Sequence, residues 1–456
     1  MCILRRRFGL ALAGFALFPL SLSAQSPDLF EAQQYVLYGA ADKFCTALGT
    51  IRQRGNPDMA AGLIQALKFA DPVGGAPIVE VLTEIAGTDA GANWFDWMLW
   101  QEQHPEIVPH PTFTDLKRDL FLRIDPNFSV FLKPEHLQRG QMKIRFEEIT
   151  WGGVRKDGIP ALDNPKLIDA DAATYLNADD LVFGVSINGD ARAYPLRIMG
   201  WHEMFNEVIG GVPVALAYCT LCGSGILFET DVTGRDAPLV FGSSGLLYRS
   251  NKLMFDRDTH SLWNQFTGRP VSGRLVDSGI ELIQRPVVIT SWGNWWRENP
   301  TTRVLSETTG FNRNYGAGVV YKDYSASDDL MFPAQVDEAA HKQKDYVFGV
   351  RKYGGAKAWP LNAFADRKVI NDGMLDTNLV LIGDAQTRTV RAFERGNLLF
   401  QIDGDVLISG DGRIWQTGED RLTADDGQHL ARVAGHVAYW FAWYGCLGAE
   451  SALYKG

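Results

Sequence analysis

One stretch of this chain occurs twice, and a sequence written twice needs the same apolar pattern twice. VFGVSINGDARAYPL, from Val182 to Leu196, aligns without gaps on VFGVRKYGGAKAWPL, from Val347 to Leu361, with nine of fifteen positions identical. The offset of 165 residues holds further on: Asn206 falls on Asn371, Phe228 on Phe393 and Glu229 on Glu394. In the same register His202 falls on Arg367, Cys219 on Asp384 and Cys222 on Thr387. The His-plus-Cys-x-x-Cys set is therefore dispensable for the fold, and its presence in one copy asks for another reason. The missing residues predict that Arg367 and Asp384 lie together in the second copy, as a salt bridge standing in for the lost set.

The repeated stretch reads as β structure. VFGVSI and ARAYPL flank Asn188-Gly189-Asp190, and Asn-Gly supplies the positive φ of a tight primed turn. VFGVRK and AKAWPL flank Tyr353-Gly354-Gly355 in the same manner. VPVALAYC and NLVLIGD read as buried strands. Before them AAGLIQALKFA and APIVEVLTEIAG carry apolar residues at helical spacing, and Trp94, Trp97 and Trp100 share one helix face. A chain of 456 residues is too long for one ordinary core. The expected fold is α+β: a helical domain over 25–140, then two similar, mostly-β repeat units over 145–320 and 340–456. A polar stretch near Lys322–Lys344 separates the two units.

The first residues read as a secretory signal peptide over 1–24. They carry a basic start (Arg5, Arg6, Arg7), a short apolar run and a small-residue end at Ala24. The protein is thus expected outside the cytoplasm, periplasmic or extracellular, with no stable membrane insertion after cleavage. Loss of the three arginines takes the net charge from −10 to −13. An acidic chain without a Lys/Arg cluster is a poor partner for nucleic acid. Four cysteines remain beyond the leader: Cys45, Cys219, Cys222 and Cys446. An even count in an oxidising compartment suggests pairing, so Cys45 and Cys446 are either a disulfide or two buried thiols.

Cys219-Thr220-Leu221-Cys222-Gly223 follows a strand and precedes a turn. Two thiolates three residues apart can converge on one metal ion, and His202, seventeen residues upstream, can return beside them. His plus two thiolates suits copper ahead of zinc, with Met204, Met254, Asp256, His260 or water as a fourth ligand. The same Cys-x-x-Cys can serve as a redox-active dithiol, or as a structural disulfide or zinc clip. A thioredoxin-like context is absent, since Gly223 and Gly225 disfavour a helix after the pair. Asp256, Thr259, His260, Ser261 and Gln265 could line a neighbouring site, although turn chemistry alone explains 256–261. Neither a Walker loop, a Rossmann fingerprint nor a Gly-x-Ser-x-Gly elbow is present.

Three blocks carry a resemblance: ITWGGVRKDGIPALDNPK, INGDARAYPLRIMGWHEMFNEVIGGVPVALAYCTLCGSGILFE and SGLLYRSNKLMFDRDTHSLWNQ. They resemble the signature blocks of a prokaryotic family called domain of unknown function 3179, over about 145–456. The resemblance implies an exported protein, and it places a His-Glu pair at His202-Glu203 and a Cys-x-x-Cys at Cys219/Cys222. It also places an Asp near Asp256 and a Trp-x-Gln near Trp263/Gln265, and it implies no reaction. The expected site is His202, Cys219 and Cys222 on a copper or zinc ion, oriented by Glu203, Asp256 and Gln265. Such a protein would act as carrier, sensor or metallo-oxidoreductase, its partner a small molecule or a metal-delivery protein. A thiol–disulfide oxidoreductase using Cys219/Cys222 and a non-catalytic interaction protein are the two alternatives.

Overall fold

The computed structural model describes residues 28–138 and 140–456; the signal peptide expected over 1–24 lies outside the described residues. The chain forms two compact units, one ending at Ile124 and one running from Asp125 to Gly456. Among the described residues no helix is long and apolar enough to cross a membrane.

The first unit is helical: α1 (Leu29–Tyr38), α2 (Ala41–Arg54), α3 (Ala60–Leu67), α4 (Pro72–Ala86), α5 (Trp94–Gln103) and α6 (Thr112–Ile124). Their ends follow from local chemistry. Asp28, Asp71 and Asn93 accept the orphan amides of α1, α4 and α5, and Gly55 and Gly87 close α2 and α4 in the left-handed conformation. Leu63, Ile64, Ile78, Leu82 and Trp97 form the core. Trp97 and Trp100 are buried and Trp94 is half-buried, as one shared face requires.

The second unit is mostly β, with five sheets among the described residues. Its first half contains β1 (Leu181–Ile187), β2 (Asp190–Pro195), α7 (Leu196–His202), β3 (Met204–Ile209), β4 (Val212–Cys219) and β5 (Ser224–Glu229). These are followed by β6 (Phe241–Tyr248), β7 (Asn251–Asp256), β8 (Leu262–Asn264), β9 (Val288–Ser291) and α8 (Trp292–Glu298). A short helix, α9 (Lys322–Ala326), stands alone in a long irregular segment. The second half contains β10 (Tyr346–Lys352), β11 (Gly355–Pro360), β12 (Val369–Met374), β13 (Thr377–Asp384), β14 (Thr389–Glu394), β15 (His436–Tyr439) and α10 (Trp440–Leu447).

Asn188 and Gly189 both have positive φ, and the hairpin they close pairs Val182 with Pro195 and Ile187 with Asp190. Tyr353 and Gly354 do the same for Val347–Pro360 and Lys352–Gly355. Met204 pairs with Ala217 and Cys219 with Ser224; 165 residues on, Val369 pairs with Ile382 and Asp384 with Thr389. The amide of Asn206 exchanges two hydrogen bonds with the backbone of Phe241, and that of Asn371 does so with Phe400. A Cβ on Gly184 would sit 2.3 Å from the Trp295 ring, and one on Gly349 1.9 Å from that of Trp443, so only glycine admits either indole.

Two of the core clusters of the second unit join its halves. One gathers Phe183, Tyr194, Phe205 and Leu216 with Phe348, Trp359 and Leu381. The other gathers Met204, Cys219, Cys222, Met254 and Trp263 with Ala358, Tyr439, Trp440 and Trp443. Both draw side chains from both halves. The polar stretch that separated the units in the sequence does more than link them. Tyr321, Tyr324, Leu330, Phe332 and Val336 pack against the second cluster.

Candidate functional site

The β4 strand ends at Cys219, and β5 begins at Ser224 after four intervening residues. The intervening turn closes on itself, the Cys222 amide donating to the Cys219 carbonyl and that of Gly223 to Thr220. Cys219 and Cys222 are joined as a disulfide, their Cα atoms 5.2 Å apart. Gly223 has φ 60°, and a Cβ there would lie 3.0 Å from the Tyr346 ring and 3.2 Å from that of Tyr439. The carbonyls of the turn are also fixed from outside. Leu221 accepts from the Tyr324 hydroxyl at 2.8 Å, and Cys222 from the Tyr439 amide at 2.8 Å. Cys222 Sγ lies 3.4 Å from the Ser250 carbonyl oxygen. Both cysteines are buried, at 3% and 0% exposure, so the sulfurs are closed to a partner in this conformation.

Beside the disulfide lies a buried polar cluster. Glu203 ends α7 in the left-handed conformation, φ 53°, which turns its side chain toward the cysteine loop. Its carboxylate accepts from the hydroxyl of Thr220, one of the two residues between the cysteines, at 2.7 Å and from that of Tyr321 at 3.3 Å. Lys252 donates to the same carboxylate and to the Glu203 main-chain oxygen, each at 3.2 Å. Burial lowers the Lys252 ammonium pKa from its ordinary value, and the Glu203 charge opposes that shift. Ion pairs this deep are costly to assemble. Their position against the Cys-x-x-Cys turn makes them part of the candidate site.

His202 is placed otherwise than the metal set requires. Its Nδ1 donates to the Pro160 carbonyl at 2.9 Å, and its Nε2 accepts from the Tyr315 hydroxyl at 2.6 Å, which is itself bonded to Thr309. Burial, with Arg313 nearby, lowers its pKa, so the ring is neutral and its lone pair is engaged. Among the described residues no group of three or more His, Cys, Asp or Glu side chains is placed to hold a metal ion. In this oxidised state the donor set does not fit copper or zinc: the sulfurs are bonded to each other, and the imidazole is bonded to a tyrosine.

Asp256 serves its own turn, accepting from the amides of Thr259 and Ser261, the Thr259 hydroxyl and the Trp263 indole. Gln265 donates to the carbonyls of Ala217 and Ser224, bracing β4 against β5. Its role is to hold the strands that carry the cysteines. Met204 and Met254 pack in the same core as the sulfurs, and His260 stacks on Phe255. In the second half the expected Arg367–Asp384 bridge is not formed. Asp384 caps its own turn by accepting from the amides of Gln386 and Thr387, and Arg367 is exposed. Cys446 is a free thiol, so it is not bonded to Cys45. Burial pushes its pKa up to about 12, and its Sγ lies 3.1 Å from the Asn251 amide nitrogen. A cleft of about 1270 Å³ elsewhere in this unit, containing the Arg269–Glu281–Arg351 and Glu419–Arg432 pairs, does not reach the disulfide.

Thr220, Lys252, Tyr321 and Tyr324 are the members that residue types alone did not single out. The one available signal was Lys252, a lysine inside the strand run NKLMFD, where a solvent-facing residue has no counterpart two places on.

A family model described as a protein of unknown function, DUF3179, matches residues 156–448. The chain belongs to the DUF3179 family. The match spans both halves of the second unit and stops short of the helical unit. Searches of curated proteins and of solved structures find no match.

Proposed function

We propose that this DUF3179 member is an exported thiol–disulfide oxidoreductase whose working pair is Cys219 and Cys222. The observation that carries the reading is a disulfide within one turn, backed by a buried Glu203–Lys252 pair through Thr220. In the second half the equivalent positions hold Asp384, Thr387, Lys368 and Ala385, so this chemistry is confined to one half. In the reaction, a thiolate of a partner dithiol attacks one sulfur and the Cys219–Cys222 bond breaks. The displaced thiolate takes up a proton, and the partner's second thiolate then resolves the mixed disulfide. Two electrons and two protons pass to this chain, and the partner leaves as a disulfide. The reverse direction oxidises this chain.

The test is a redox titration of the purified protein in dithiothreitol buffers, followed by alkylation and mass analysis of Cys219 and Cys222. A reversible two-electron transition, with a mixed disulfide trapped by Cys222→Ser or Cys219→Ser, is expected. A pair that never reduces short of unfolding overturns the reading and leaves a structural clip in an interaction protein. The alternative is a copper or zinc protein, which requires the pair reduced and His202 released from Tyr315. Metal bound one-to-one by the reduced protein, and lost in Cys219→Ser, would put that reading first.

We further infer that the two halves are repeat units of an internal duplication. Supporting this are nine identities in fifteen residues, strand pairings that recur 165 positions on, the two asparagine clamps, and the two glycines that admit Trp295 and Trp443.

A further inference from the structure

A disulfide exchanges only with a thiolate that approaches a sulfur roughly along the S–S axis. Both cysteines are buried, so some part of the wall around them has to move. Most of that wall is sheet and core. Gln265 ties β4 to β5, and Trp263, Met254 and Trp443 belong to the same core cluster as the two cysteines. Moving any of these would unfold the second cluster.

One side is built differently. From Thr308 to Lys344 the chain contains no strand, and its only helix, α9, has no buried residue. This segment reaches the cysteine loop by two tyrosines. Tyr324 donates to Leu221 between the cysteines, and Tyr321 donates to Glu203. At its far end Lys344 donates to the carbonyls of Tyr324 and Ser327, each at 2.7 Å, with its ammonium 3.5 Å from the centre of the Tyr324 ring. Lys344 thus fastens the helix from behind, satisfying carbonyls that α9 leaves unpaired. Pro333 accepts from the Ser250 hydroxyl at 2.6 Å and fastens the middle. The segment's side chains that pack on the second cluster, Tyr321, Tyr324, Leu330, Phe332 and Val336, are all only half-buried, and a segment so held opens at far lower free energy than a core.

We propose that Tyr321–Lys344 is a lid over the Cys219–Cys222 disulfide, latched by Tyr324 on Leu221 and by Lys344 on Tyr324 and Ser327. The inference rests on the oxidoreductase reading for its purpose, but not for its geometry. With the lid closed the sulfurs are inaccessible even to small thiols. Opening it exposes the loop together with Tyr321 and Tyr324.

The experiment uses the full mature chain and measures the rate at which tris(2-carboxyethyl)phosphine, and separately a reduced thioredoxin-type protein, opens the Cys219–Cys222 bond. Tyr324→Phe removes one hydrogen bond and should raise the phosphine rate roughly fivefold; Lys344→Met removes two and should raise it about tenfold or more. Hydrogen exchange at residues 321–330 should rise in parallel, while exchange in β4 and β5 stays as in wild type. A phosphine rate unchanged in both variants, with exchange in the lid raised, overturns the lid. Faster phosphine reduction without any reduction by the protein dithiol, in wild type or either variant, keeps the lid and overturns the oxidoreductase reading instead.

Discussion

Replacing Lys252 by Met tests whether the cluster behind the cysteines is a true buried ion pair. Lys252 and Glu203 have 4% and 9% of their side chains exposed, and the ammonium makes two hydrogen bonds to Glu203, both at 3.2 Å. Methionine keeps the stem volume but withdraws the charge and both donors. The carboxylate would retain only the Thr220 and Tyr321 hydroxyls. An uncompensated charge at this depth costs about 3–5 kcal/mol. The double variant Lys252→Met/Glu203→Gln removes both charges, yet leaves a carbonyl oxygen for the two hydroxyls. It should recover to within about 2 kcal/mol of wild type. The assay is urea unfolding followed by tryptophan fluorescence, because Trp263 and Trp443 lie in the same core cluster as the two cysteines. A single variant within about 1 kcal/mol of wild type, or a strictly additive cycle, would refute the ion pair.

His436 should govern the acid limb of stability. It packs between Phe266 and Trp443, with no partner on Nε2, and burial lowers its pKa to about 3. The unfolded chain takes up this proton near pH 6.5 and the folded chain does not, so stability falls as pH drops from 6.5 towards 3, by about 1.4 kcal/mol per unit. His436→Phe should flatten that slope in urea melts across the window; an unchanged slope assigns it to other groups. Gly223→Ala should cost about 1–2 kcal/mol from its positive φ alone, and more from contact with Tyr346 and Tyr439. Arg388 occupies the corresponding turn position in the second half at φ 56°. A non-glycine residue can therefore hold this backbone angle at its cost; a loss of only about 1–2 kcal/mol would show that the two rings yield, and a variant as stable as wild type would refute both contributions.

The parts of this structure that are legible in the sequence are those fixed over a few residues. Asn188-Gly189 and Tyr353-Gly354 announce their hairpins because positive φ is a local demand, and the caps at Asp71 and Asn93 are local in the same way. Cys219 and Cys222 are legible as a pair because a three-residue spacing leaves little choice. Legibility ends where contacts become distant. Spacing brings His202 near the end of β4, but its ring is held by Tyr315, 113 residues further on. Glu203 was legible as a neighbour of the site, whereas its partners Lys252 and Tyr321 lie 49 and 118 residues away. Asp256 stands within seven residues of all its donors. Local turn chemistry was therefore the sufficient reading of it.

Tyr439 binds the Cys222 carbonyl, and its ring stacks on that of Tyr346 beneath Gly223. Both tyrosines belong to the half that has no cysteine pair of its own. A gene fragment ending near residue 320 would encode every candidate reactive residue and still lack the floor on which they rest. Inheritance of the site is therefore indivisible. Recombination or domain grafting has to carry both halves, and substitutions at Tyr346, Gly349 or Trp443 would register as defects in a site more than a hundred residues upstream.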